Sequence, residues 1–263
     1  MTWRAEIVDG TVIRSQGSTD STPLWLIHGF GESSRCFVPL FSMSQASRFQ
    51  LLAPDWPGAG LTPPDPNVRS LDALAEWLAR TIARRTPEGL IGIVAHSVGS
   101  IVAMRAASKL AGRIAGLVSI EGNLTGGDAY LSGVAETFDD PIRFRDALRR
   151  RMLAEAEHAW DEESYLSYYA SLTFADPDLL WHIGREVKQQ SDRFGEEYRA
   201  LPFPTLYFWS RTSTSRTTQE TLAANEIPNA EYSGGHWPMV EKPHETANVI
   251  DRFFYGVAER LST

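Results

Sequence analysis

Apolar residues fall along this chain either in short unbroken runs or in stripes at helical spacing, and the two forms take turns. Leu24-Trp25-Leu26-Ile27, Phe49-Gln50-Leu51-Leu52-Ala53, Leu90 to Ala95, Ile114 to Ile120 and Thr205 to Trp209 are runs of strand length. A strand without polar alternation is one buried on both faces. Between them, Phe37 to Ser47, Ser70 to Arg85 and Val98 to Leu110 read as helices. Leu71, Leu74, Ala75, Leu78 and Ile82 make the clearest stripe, Ser70 or Asp72 can cap it, and Gly112 is placed to end the segment from Val98. The first sixteen residues instead alternate, with Ala5, Ile7, Val12 and Ile13 flanking Asp9-Gly10, a pair suited to a tight turn. An antiparallel hairpin at a sheet edge is therefore predicted there. Strands alternating with helices predict an α/β protein whose parallel, doubly wound sheet is covered on both faces.

The alternation stops at Asn123. From there to Ala200 no run of strand length occurs, and Pro141 to Trp160, Glu162 to Leu172 and Pro177 to Gln190 read as helices rich in aromatic residues. Residues 123–200 are thus expected to be a helical cap (lid) inserted into a core domain made of 1–122 and 201–263. Most of its aromatics would form the cap's own small core, while some would face a ligand. A helix from Thr217 to Asn225, a short strand around Ala230 to Tyr232 and an amphipathic helix from Glu245 to Leu261 complete the chain.

Composition narrows the partners. A net charge of −8 with no dense Lys/Arg tract argues against nucleic acid and anionic membrane surfaces, and favours a small-molecule substrate. Cys36 is the sole cysteine, which excludes an internal disulfide. With no basic segment followed by a long apolar run at the N-terminus, and no run long enough to cross a membrane, a cytoplasmic monomer or homodimer is expected.

Candidate chemistry gathers at predicted strand ends, where parallel sheets bind ligands: His28, Asp55, Ser97 and Glu121 all sit there. Leu90 to Met104 reads as buried strand, sharp turn and helix, with Ser97 flanked two residues away by Ala95 and Gly99. Small neighbours permit a turn tight enough to expose the hydroxyl, although a plain strand-to-helix connection capped by Ser97 fits the same residues. In His28-Gly29-Phe30-Gly31 the glycines let main-chain N–H groups face an oxyanion, with His28 holding the loop. Asp55 reads as a brace for the Pro54 to Pro64 loop, His96 as a residue packed behind the serine or tuning it, and Cys36 as a small buried apolar group.

In order and spacing, His28 to Gly31, Asp55 to Thr62, Ala95 to Gly99 and Gly235-His236 resemble the motifs of cap-bearing, small-molecule members of the α/β-hydrolase fold family, over nearly the whole chain. The resemblance implies a mostly parallel, doubly wound eight-stranded sheet. It implies Ser97 as nucleophile, His236 as base, the backbone N–H groups of Phe30 and Val98 as oxyanion hole, and Gly29 and Trp237 beside the substrate. The chain departs from the commonest pattern at the acid, because Ser210 to Gln219 contains no carboxylate. The orienting role is assigned to Glu121, one strand earlier, a position used by some lactone-opening hydrolases and cofactor-free dioxygenases of the family. The competing reading makes Glu121 a cap or a structural partner of Asn123. The expected activity is hydrolysis of an ester or lactone bond in a small apolar or aromatic molecule through an acyl-enzyme, with no metal and no organic cofactor. A cofactor-free oxygenase, lyase or C–C bond hydrolase on the same residues, and a small-molecule receptor without turnover, are the alternatives.

Overall fold

The structure is a computed structural model that describes residues 3–43, 48–110, 112–159, 161–224 and 227–261. Its strands are β1 (Arg4–Val8), β2 (Thr11–Gln16), β3 (Thr22–Ile27), β4 (Phe49–Pro54), β5 (Ile91–His96), β6 (Ile114–Ile120), β7 (Thr205–Ser210) and β8 (Asn229–Tyr232). They form one eight-stranded sheet in the order β1-β2-β4-β3-β5-β6-β7-β8. β1 and β2, and β2 and β4, pair antiparallel; every later pairing is parallel. The opening hairpin turns at Asp9 (φ 47°) and Gly10 (φ 81°), both left-handed as a two-residue turn of this type requires. All of β5 and β6 is buried, which explains their unbroken apolar sequences.

The helices are α1 (Val38–Phe41), α2 (Leu71–Arg85), α3 (Val98–Ala107), α4 (Pro141–Ala156), α5 (Glu162–Thr173), α6 (Pro177–Gln190), α7 (Phe194–Arg199), α8 (Arg216–Ala224), α9 (Pro238–Glu241) and α10 (Pro243–Leu261). Ser70 caps α2, its hydroxyl accepting from the Ala73 N–H at 3.1 Å. α4 and α6 each open on Asp-Pro: Asp140 and Asp176 accept backbone N–H groups, and the proline following each occupies a position whose N–H would lack an acceptor. The helix predicted from Phe37 is short, stopping at Phe41, and residues 44–47 lie outside the described residues. Likewise α4 ends at Ala156 and α8 at Ala224, while Trp160 and Asn225 lie outside the described residues.

α10 closes one face of the sheet with Ile250, Phe254 and Val257 buried. It approaches closely because β5 has Gly92 there, where a Cβ would collide with the rings of Phe254 and the side chain of Leu24. From β3 the chain moves to β4 on one side, then returns to β5 on the other. At such a reversal the connections diverge and leave a crevice beyond the strand ends, here between His28 and Ser97. The segment from β6 to β7 holds α4 to α7 and no strand among its described residues, and it lies over this crevice. Phe144 on α4 meets Phe30 at 6.2 Å between ring centroids, and the Asp176 N–H donates to the Gly58 carbonyl at 2.7 Å. No helix among the described residues is long and apolar enough to cross a membrane.

Candidate active site

Ser97 stands between β5 and α3 with φ 50° and ψ −129°, a conformation costly for any residue with a side chain. Its N–H donates to the Ile120 carbonyl at 2.9 Å, so the neighbouring strand β6 holds the turn in place. Gly99 completes the turn because a Cβ there would overlap the Ile27 and His28 carbonyl oxygens. Val98 is the first residue of α3, so its N–H has no acceptor within the helix. The Phe30 N–H also lacks a protein acceptor among the described residues. Phe30 and Val98 line the cavity beside Ser97, so two N–H groups without a protein acceptor lie at its edge, the kind of donor that stabilisation of an oxyanion needs.

His28 holds the loop after β3: its Nδ1 donates to the Gly29 carbonyl (2.9 Å) and its Nε2 accepts from the Trp56 N–H (3.1 Å). Burial lowers its pKa, consistent with a neutral ring in this pairing. Asp55 braces the adjoining loops by accepting from the Ser34 N–H (2.7 Å), the Ser34 hydroxyl (2.6 Å) and the Leu61 N–H (2.9 Å).

His236 lies in the loop after β8 with its Nδ1 3.4 Å from Glu121 Oε2. Glu121, at the end of β6, also has positive φ (48°), and its N–H is tied to the Phe208 carbonyl at 2.9 Å. Its Oε1 accepts from the Ser210 N–H at 2.5 Å and the Thr214 hydroxyl at 3.1 Å. The carboxylate-free stretch after β7 therefore supplies donors to an acid from the neighbouring strand. Burial pushes the Glu121 carboxyl up to about 8, opposed by these donors. Burial, followed by the charge on His96, lowers His236 to about 3, so its ring is neutral near pH 7 and able to accept a proton. The loop carrying His236 is itself clamped by Glu241, which accepts from the Gly235 N–H (2.5 Å) and the Trp237 N–H (3.0 Å).

A second acid and histidine lie behind these groups. Glu32 is buried and accepts from the Gly29 N–H (2.5 Å), His96 Nδ1 (2.9 Å) and Trp237 Nε1 (2.7 Å). His96 Nε2 lies 2.8 Å from the His236 carbonyl oxygen. Burial alone would raise Glu32 and lower His96, but their mutual attraction prevails, leaving Glu32 at about 2 and His96 raised.

Ser97, His236, Phe30, Val98 and Trp237 line one small cavity of about 10 Å³, with Glu121 behind His236. Gly29 does not line it, and its N–H donates to Glu32. Sequence reasoning missed Glu32, Asp128, Tyr130 and Tyr168, all of which line the cavity. Asp128 was readable, because Thr125-Gly126-Gly127-Asp128 forms a capping box. The others carry no local signal. A larger groove of about 770 Å³, lined among others by Arg14, Arg35, Leu61 and Phe174, contains none of Ser97, His236 and Glu121. Among the described residues no group of three or more His, Cys, Asp or Glu side chains is arranged to hold a metal ion.

A sheet of this order, with a strained serine turn and a histidine in the loop after the last strand, defines the α/β-hydrolase class. The model of the alpha/beta hydrolase family matches residues 26–249, and the chain belongs to that family. It is similar to an uncharacterized hydrolase of Saccharomyces cerevisiae, 31% identical over 143 residues, which are 53% of this chain and 47% of the yeast protein. The matched stretch thus spans about half of that relative. It is also similar to the pimeloyl-[acyl-carrier protein] methyl ester esterase of Legionella pneumophila, 23% identical over 88% of this chain and 94% of the esterase. Among solved structures, a variant of the N-acyl homoserine lactonase AidH superposes with a TM-score of 0.75 at 14% identity, covering 97% of each chain, which is a likeness of fold.

Proposed function

We propose that this protein is a serine hydrolase cleaving an ester or lactone bond in a small apolar or aromatic molecule, through an acyl-enzyme on Ser97. The observation that carries the reading is the convergence of a strained serine, a neutral histidine backed by a buried carboxyl group, and two unbonded backbone N–H groups on one cavity. In this reading His236 takes the proton of Ser97 as the oxygen attacks the carbonyl carbon. The negative charge moves to the carbonyl oxygen, where the Phe30 and Val98 N–H groups receive it. Collapse expels the alcohol, which takes the proton from His236, and water then repeats the sequence to release the acid. Glu121 fixes the histidine tautomer throughout.

The walls support the substrate class. Phe30, Tyr130, Tyr168 and Trp237 surround the reacting groups, so the molecule next to the scissile bond is apolar or aromatic. The two tyrosines come from the 123–200 segment, which acts as a cap. The ester and lactone choices also agree with the names of the Legionella esterase and the lactonase. The test is the intact mass after brief exposure to a fluorophosphonate. One adduct on the wild type and none on Ser97→Ala is the expected result, followed by turnover in a panel of short-chain aryl esters and lactones. An unlabelled, folded wild type would overturn the proposal.

A further inference from the structure

The buried Glu32 and His96 are not members of the Ser97, His236 and Glu121 set, yet they touch three of the loops that set depends on. Glu32 holds the Gly29 N–H, one residue before the Phe30 donor, and the Trp237 indole N–H, one residue after His236. His96 immediately precedes Ser97 and reaches the His236 carbonyl oxygen. The loops after β3, β5 and β8 therefore meet on a single side-chain pair, His96 at 0% exposure and Glu32 at 3%.

The chemistry of the partners fixes the protonation of this pair. One ring nitrogen of His96 faces the Glu32 carboxylate at 2.9 Å and the other faces a backbone carbonyl at 2.8 Å. The carbonyl only accepts, so Nε2 carries hydrogen, and one further proton is shared between Nδ1 and the Glu32 carboxyl. The other partners of Glu32, the Gly29 N–H, the Trp237 indole N–H and the Cys36 thiol at 3.8 Å, all donate to it, which favours the ionised carboxylate and places the shared proton on His96. Around His236, whose ring centroid is 4.7 Å from that of His96 and whose Nδ1 faces Glu121, burial and then His96 disfavour a second positive charge, against the acids Glu32, Glu241 and Asp128.

We infer that Glu32 and a doubly protonated His96 form a buried ion pair that positions the oxyanion donor and the His236 ring relative to Ser97. Both are positioning residues, acting through the loops they hold, although Glu32 also lines the cavity. The inference rests on the serine-hydrolase reading for its kinetic consequence, but its protonation claim concerns the resting protein. Breaking the pair lets the three loops drift while leaving Phe30, Tyr130 and Tyr168 without a lost bond, Trp237 being the one wall residue Glu32 holds directly. Misplacement by about 1 Å costs on the order of 10² in turnover with little change in binding.

The experiment has two arms. Nitrogen-15 NMR of histidine-labelled protein at about pH 8, with the His96 signal assigned from His96→Gln, should show one doubly protonated ring that is lost in Glu32→Gln. On an aryl ester, Glu32→Gln should lower kcat about 10- to 100-fold with KM within about threefold, and slow fluorophosphonate labelling in step. A neutral His96 in the folded wild type, an unchanged kcat, or a raised KM at constant kcat would each overturn the inference. If Glu32→Gln does not fold, the double variant Glu32→Gln/His96→Gln, which leaves no stranded charge, carries the same kinetic measurement. A wild type that neither labels nor turns over would instead defeat the hydrolase reading, with the NMR arm still deciding the protonation.

Discussion

Replacing Glu121 by glutamine tests the orienting acid with almost no change of shape. The amide of Glu121→Gln would keep an oxygen for the Ser210 N–H and the Thr214 hydroxyl, which now bind Oε1 at 2.5 and 3.1 Å. It would put an NH₂ group in place of Oε2, 3.4 Å from His236 Nδ1. That group donates, so the ring must leave Nδ1 bare and carry its hydrogen on Nε2, the atom needed to accept from Ser97. Loss of the correct tautomer costs on the order of 10²–10⁴ in kcat, or about 3–5 kcal/mol of barrier. The pH profile adds a second sign. Burial holds Glu121 at about 8 and His236 at about 3, so kcat/KM in the wild type rises as pH climbs through about 8 and the carboxylate forms. That step cannot come from His236, which is already neutral, and the glutamine variant lacks it. The assay is kcat/KM on an aryl ester from about pH 6 to 10. A variant within about threefold of the wild type, with the same rise, would refute the assignment.

Further outcomes follow from the same geometry. Ser97→Gly should abolish turnover yet stabilise the fold by about 1–3 kcal/mol, because glycine relieves the φ 50° turn; equal urea midpoints would refute the strained elbow. Gly99→Ala should cost about 1–3 kcal/mol in urea unfolding, since the new methyl meets backbone carbonyls that cannot swing aside, and an unchanged midpoint would contradict that packing. Asp128→Asn should destabilise by about 1–3 kcal/mol, because an amide cannot accept from the Leu124 and Thr125 N–H groups and the Ser215 and Thr218 hydroxyls together. Glu121 also couples stability to pH: its folded pKa is raised from 4.5 to about 8, so its contribution is complete below about 4.5 and lost as pH rises to 8. The melting temperature of Glu121→Gln should therefore fall less than that of the wild type over this window.

The sheet was legible because parallel strands buried on both faces need no alternation, so β3, β5 and β6 stand out as apolar runs. The Ser97 turn was legible because its geometry demands small residues nearby, and Gly99 is one of them. Glu121 could be assigned only after noticing that Ser210 to Gln219 lacks an acid, and the fold gives the physical counterpart: Ser210 and Thr214 are donors to Glu121. Glu32 was not legible. A Gly-Glu-Ser-Ser sequence reads as an exposed turn, and what buries it are partners 64 and 205 residues away, His96 and Trp237. Tyr168 was hidden for a similar reason, being one aromatic among many in a helical segment whose orientation no local pattern sets.

The same long-range contacts determine how a substrate can enter. The cavity beside Ser97 is about 10 Å³, room for one water molecule rather than an ester. Its far wall is made by Tyr130, Leu131, Ser132 and Tyr168, all from the segment between β6 and β7, whereas Ser97, His236 and the Phe30 loop are held by the sheet and by Glu32. Tyr168 also packs directly on Gly31, so the loop that carries the oxyanion donor and the segment that closes the cavity touch each other. On the proposed function, admission of a substrate requires the stretch Tyr130 to Ser132 and Tyr168 on α5 to give way while Ser97 and His236 stay where they stand. That division suits the proposed chemistry: a closed, dry site strengthens the hydrogen bonds offered to a developing oxyanion, and a wall built on a separate segment can give way without dismantling them.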